Sequence, residues 1–261
     1  MDILGCKTVE DLQKVDGEKL VEASAGLVVR LFPERDGSFL SSDPLEAYAN
    51  GAAKDIAFLQ GCNKDEMNFF VSVMGTADFQ VWAADRKAKK YAEQLTDEEK
   101  ALVEAFCSED CTESWKPDSR LFSQSWFIAP AIRMSENQTK AGGKSYTYYY
   151  RVESSMPILK SAHGEELPIV FKHPEMTDGR PYDETFSKTM RKMWVQFAKT
   201  GTPSLTAEQS PDGKAKDWPL YDLENKEVMV LDEFDIHPAK ESEVKIVDWN
   251  RSYFLTKYYM L

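Results

Sequence analysis

The sequence predicts an α/β chain carrying part of a largely parallel sheet. Strand-like segments alternate with helical ones along its length, the order that joins parallel strands through helices. Tyr146-Thr147-Tyr148-Tyr149-Tyr150-Arg151-Val152 is dense in aromatic and β-branched residues and gives the best strand signal. With 261 residues, 42% of them apolar, the chain can bury a sizeable core in one or two domains.

Thr8-Val9-Glu10-Asp11 caps a short helix, and Asp16-Gly17 breaks it before a second helix from Glu18. Residues 36–51, with their Asp, Gly, Ser and Pro, read as an ordered surface loop. The apolar run Ile56-Ala57-Phe58-Leu59 reads as a buried strand, with Gly61-Cys62-Asn63-Lys64-Asp65-Glu66 at its exit. The chain then turns helical through Phe69, Phe70 and Val73. Thr96-Asp97-Glu98-Glu99 forms a capping box ahead of Ala101-Leu102-Val103. From Tyr182 to Thr200, Phe186, Met190, Met193, Trp194 and Phe197 recur on one helical face, and Gly201 supplies the stop. Val228-Met229-Val230-Leu231 is a short strand, and a last amphipathic helix carries Ile246, Trp249 and Phe254. There is no internal repeat and no low-complexity segment.

Composition bounds the function. Acidic residues outnumber basic ones by 44 to 32, for a net charge of −12. Nucleic-acid binding needs a basic footprint, so that class is set aside. No apolar run reaches the length of a membrane span. The four cysteines, at 6, 62, 107 and 111, suggest neither a disulfide framework nor zinc-ligand spacing. Cys107 and Cys111 lie one helical turn apart near a helix end. Reduced thiols set a cytoplasmic expectation. No metal or organic cofactor is implied.

The chemistry concentrates in two segments. Glu66 follows a strand, at the carboxyl end where α/β sheets place ligand chemistry. Asp65, one residue earlier, is its competitor. His163 lies in Ser161-Ala162-His163-Gly164-Glu165-Glu166, just ahead of the apolar Leu167-Pro168-Ile169-Val170-Phe171. The other two histidines, His173 and His237, sit in polar turns beside prolines. An acid at a strand end followed by a histidine in a loop is the second half of a Ser…Asp/Glu…His order. No nucleophile precedes Glu66. Glu22-Ala23-Ser24-Ala25-Gly26 mimics Gly-x-Ser-x-Gly but has Glu where the first glycine allows close approach, and it follows a helical pattern. Ser24 is rejected.

These segments resemble the type-B carboxylesterases, which include cholinesterases, bacterial para-nitrobenzyl esterases and the non-catalytic neuroligins. The family writes its acid near Lys-Asp-Glu and its base as His-Gly-x-Glu before an apolar stretch. Asp36-Gly37-Ser38-Phe39-Leu40, Pro44 and Gly51 are similar to the approach to the acid strand. Phe122, Pro130 and Tyr146 to Tyr150 are similar to the helix and aromatic strand before the histidine. Trp194 to Pro203 and Trp218-Pro219-Leu220-Tyr221 are similar to the helix end and return strand after it. The likeness spans almost the whole chain and is weakest at 75–117.

The resemblance implies the C-terminal portion of an α/β-hydrolase fold over residues 1–261, acting on a small-molecule ester. It implies Glu66 as catalytic acid, His163 as base and Glu166 as a buried carboxylate fixing the histidine loop. It also implies that the nucleophile elbow and oxyanion hole belong to an upstream portion absent from this sequence. The strand ending near Glu66 then has an open edge, expected to pair with that missing half or with a second copy. Trp126 and Phe127 are candidates to line a substrate gorge. The alternative is a neuroligin-like interaction module, for which the Glu66 and His163 pair would serve no purpose.

Overall fold

A computed structural model describes residues 2–24, 33, 35–40, 42–87, 96–173 and 184–246. The chain divides near Pro44 into two compact parts. The smaller begins with a 3-10 turn, Asp2–Leu4, followed by helices α1 (Val9–Leu12) and α2 (Gly17–Ser24). Thr8 caps α1 as expected. Its hydroxyl accepts the Asp11 N–H at 3.1 Å, and the Asp11 carboxylate accepts the Thr8 N–H at 3.0 Å. Ser24 ends α2 with its hydroxyl donating to the Val21 carbonyl, the arrangement of an ordinary helix serine.

The larger part opens with α3 (Pro44–Ala49), where the sequence reading expected loop. Pro44 occupies the first helical position, where its fixed φ suits a helix and its missing N–H costs nothing. Partners distant in sequence then hold the short helix. The Tyr48 ring meets Phe58 edge-on at 5.3 Å, and the Asn137 amide donates to the Leu45 carbonyl.

Strand β1 (Phe58–Asn63) follows, then α4 (Asn68–Met74), α5 (Thr76–Arg86), α6 (Asp97–Ser108) and α7 (Lys116–Ser123). A π-helical turn, Gln124–Ile128, joins α7 to α8 (Ala129–Lys140). Strand β2 (Ser145–Tyr150), α9 (Leu167–Phe171), α10 (Glu184–Thr200), β3 (Glu227–Leu231) and β4 (Ile236–Lys240) complete the described elements.

The four strands form one sheet in the order β1-β2-β3-β4, parallel except for the last pair. Gly61 lies opposite Tyr148, and Tyr148 opposite Met229. Period-2 alternation sends the two sides of β2 to different layers. Tyr146 and Tyr150 join Phe186, Met190 and Met193 of α10 in one cluster. On the other face, Thr147 shares a 2.7 Å hydrogen bond with Ser135 of α8, and Tyr149 packs with Ile128 and Ile132. Met190 and Met193 are fully buried, as the helical periodicity requires.

Three expectations need correction. Ile56 precedes β1 and is exposed, and the strand's first four residues are only half-buried. Among the described residues β1 is an edge. Phe58 and Lys64 donate their N–H groups toward β2, so those of Leu59 and Gly61 face the other way. Trp218 to Tyr221 form no strand. Pro219 lacks a donor, although the Tyr221 N–H still reaches the Ser145 carbonyl at 2.9 Å. His237, read as part of a turn, belongs to β4, a sheet-edge strand where Pro238 is tolerated. Ile246 is buried against the α8 face. Trp249 and Phe254 lie outside the described residues.

All four thiols are free, and burial pushes Cys107 up to about 12. No described helix is long and apolar enough to cross a membrane.

Candidate active site

Adjacent parallel strands bring the two predicted segments together. The Lys64 N–H donates to the Tyr150 carbonyl, extending the β1–β2 ladder by one step. The chain then turns away, and the Asp65 N–H donates to the Ser161 carbonyl at 2.9 Å. From β2 the chain returns in a loop whose Ser161 hydroxyl lies 3.1 Å from the carbonyls of both Tyr150 and Val152. The His163 N–H then reaches the Glu66 carbonyl at 3.3 Å. Gly164 has φ +83°, which explains a glycine directly after the histidine. Both loops leave the carboxyl ends of their strands, where α/β sheets place reactive groups.

Glu66 and His163 meet through their side chains. Glu66 Oε2 lies 2.7 Å from His163 Nδ1, while Oε1 accepts the Asn63 N–H at 2.7 Å. The carboxylate is buried, its side chain 7% exposed, and the imidazole is half exposed at 50%. A carboxylate facing Nδ1 can only accept, so the neutral ring carries its proton there and leaves the Nε2 lone pair free to accept one. Asp65 makes no such contact, and burial pushes its carboxyl up.

The hydrogen bond that His163 Nδ1 donates to Glu66 raises the His163 pKa, partly opposed by desolvation. A histidine with a raised folded-state pKa contributes stability in full below its ordinary value of 6.5. That contribution is lost as the pH rises through the folded-state value. Glu66→Gln should therefore cost most at acid pH, and its difference from the parent should shrink as the pH climbs above neutrality. Urea midpoints of both proteins across pH 5–9 measure this, and a pH-independent difference contradicts it.

Glu166 stands behind the loop. Burial pushes its carboxyl up, and a 2.6 Å hydrogen bond from the Asn63 amide opposes that shift. The same amide nitrogen reaches the Ala162 carbonyl at 2.7 Å. Asn63 is therefore central to the site, although the sequence marked it only as part of the acid motif.

Aromatic rings enclose the imidazole. Phe127 lies 5.1 Å from it, Phe70 5.8 Å and Phe69 6.4 Å. Phe127 sits on the π-helical turn, a departure from helical geometry that is frequent at functional sites. Trp126, its neighbour, packs instead with Trp82 and Phe122 at 5.4 and 5.5 Å. Of the two gorge candidates, only Phe127 is in ring contact with His163. The sequence marks Phe69 and Phe70 only as helix residues, and their position one helical turn after Glu66 was the available signal. His237 pairs with Asp235, and the His173 N–H closes the end of α9. No group of His, Cys, Asp and Glu suited to holding a metal occurs among the described residues.

The mostly parallel sheet, with helices on both faces, has the fold of the α/β-hydrolases. The chain belongs to the carboxylesterase family, whose model matches residues 1–245. It is 30% identical over 223 residues to the bile salt-activated lipase of Homo sapiens, covering 76% of this chain and 28% of that protein. It is 28% identical over 263 residues to the para-nitrobenzyl esterase of Bacillus subtilis, covering 93% and 48%. A Geobacillus stearothermophilus carboxylesterase crystal structure superposes with a TM-score of 0.70 at 24% identity, over 94% of this chain and 52% of that one. The chain thus spans between about a quarter and a half of the length of the relatives it matches.

Proposed function

We propose that this chain supplies the acid and the base of a Ser-Glu-His carboxylic-ester hydrolase. The 2.7 Å hydrogen bond between Glu66 and His163, made by loops at the ends of neighbouring parallel strands, carries the reading. Family membership supports ester hydrolysis as the reaction class. His163 Nε2 takes the proton of a serine as its oxygen attacks the ester carbonyl, then returns it to the departing alcohol. Glu66 keeps the ring in the tautomer that leaves Nε2 free and stabilises the imidazolium formed on proton transfer. Water enters by the same route in reverse and releases the acid. Phe69, Phe70 and Phe127 offer apolar surface to the substrate beside the base.

The sequence contains no Gly-x-Ser-x-Gly, so in this reading the nucleophile and oxyanion donors come from residues outside these 261. The chain by itself is then inert. Incubated with p-nitrophenyl butyrate it should give only the background rate, and hydrolysis abolished by changing one of its own serines would defeat the proposal.

The outward N–H groups of Leu59 and Gly61 fit the same reading, because an unpaired strand edge is a template for a further strand. That strand belongs either to the nucleophile-bearing portion or to a second copy of the chain. Light scattering after size exclusion should detect a concentration-dependent dimer of the isolated chain that disappears when the other portion is supplied. A monomer at all concentrations that also ignores the other portion contradicts it.

A further inference from the structure

We propose that Asn63 is a positioning residue, its side-chain amide tying the His163 loop and the Glu166 carboxylate to the end of β1. The inference rests on the reading of His163 as a base, but its geometry stands independently. Asn63 is 1% exposed, and its amide nitrogen lies 2.7 Å from the Ala162 carbonyl and 2.6 Å from Glu166 Oε2. The orientation is fixed, because a carbonyl only accepts and the nitrogen must face it. Both amide protons are thereby committed, one to the backbone just before His163 and one to Glu166.

The backbone of the same residue holds Glu66, through the Asn63 N–H and Oε1. One residue at the strand end thus holds two carboxylates, Glu66 through its backbone and Glu166 through its side chain. The division of labour is separable. Any substitution at 63 other than proline keeps the N–H on Glu66, whereas the grip on Glu166 and Ala162 is lost with the side chain.

The consequence is electrostatic. A buried carboxylate without a donor takes up a proton. Burial pushes the Glu166 carboxyl up, the Asn63 amide opposes that shift, and negative charge on Glu166 favours protonated His163. The other groups around them do not compete. The Cys62 thiol of β1 and the Tyr148 phenol of β2 are pushed up by burial and stay neutral. Asp65 and Lys64 lie on the turn outside the pair, with the Asp65 carboxyl bonded to neither residue. Glu66 acts directly on Nδ1, and α4 and the π-helical turn meet the ring with phenylalanines.

NMR titration of the three histidine rings in the 261-residue chain tests this without substrate. Asn63→Leu should lower the proton affinity of His163 by about threefold or more, the scale of one partly screened charge. Glu166→Gln should lower it by a similar factor, and the double variant no further than Glu166→Gln alone. An unmoved His163 in folded Asn63→Leu, or two shifts that simply add, overturns the proposal. Should Asn63→Leu not fold, Asn63→Ser takes its place, and an unmoved His163 in Glu166→Gln is decisive by itself. Failure here leaves ester hydrolysis intact. The expected titration in a chain that never supports hydrolysis would instead sink the catalytic reading alone.

Discussion

Joined to a family segment that carries Gly-x-Ser-x-Gly, the chain is expected to hydrolyse p-nitrophenyl butyrate, and His163→Ala to remove most of that activity. The expected loss in kcat/KM is about 10²–10⁴-fold, the contribution of a positioned general base. His163 is half exposed and packs loosely against Phe70 and Phe127, so the fold should survive its removal. Glu66→Ala should cost less, since the imidazole remains but loses the partner that fixes its tautomer. Equal activity in parent and His163→Ala would assign the base elsewhere.

The second large effect concerns stability. Gly61 lies where β1 and β2 approach each other, and a Cβ there would sit 2.3 Å from both the ring and the carbonyl oxygen of Tyr148. The ring could rotate, but the carbonyl belongs to the ladder and moves only if the strands part. Gly61→Ala is expected to cost about 3 kcal/mol or more, at the upper end of overpacking effects. It should also loosen the end of β1 that presents Glu66. A urea melt measures this, and a midpoint equal to the parent's would contradict the Gly61–Tyr148 register.

The parts of this architecture that were legible in the sequence are those set by local periodicity. Phe186, Met190 and Met193 recur at helical spacing, and the tyrosines of β2 cluster where only a strand explains them. The family motifs around Lys64-Asp65-Glu66 and His163-Gly164 were equally readable, because their spacing is short and their glycine is required. What stayed hidden depends on distant partners or weak local signals. Strand β4 contains Pro238, which argues against a strand except at a sheet edge, and edge position is a property of the assembled sheet. Helix α3 is surrounded by turn-forming residues and is held by Phe58 and Asn137. The role of Asn63 was illegible for the same reason, since its amide partners lie 99 and 103 residues away. A sequence shows an asparagine at a strand exit, but not which two loops it will bridge.

The choice of Glu66 over Asp65 shows the boundary between the two kinds of information. Both residues are carboxylates at the strand exit, and composition cannot separate them. The turn after β1 directs the backbone N–H of Asp65 to Ser161 and brings the Glu66 side chain to His163. One residue of register in a turn decides which acid faces the ring.

In the proposed reaction His163, oriented by Glu66, activates a serine from outside these 261 residues. Fluorophosphonate labelling of the joined protein, read by mass spectrometry of the modified peptide, tests it most directly. The expected result is a single labelled serine in the Gly-x-Ser-x-Gly segment, with labelling about 10²-fold slower or more in His163→Ala. A label on any serine within these 261 residues, or an equal rate in His163→Ala, would contradict it.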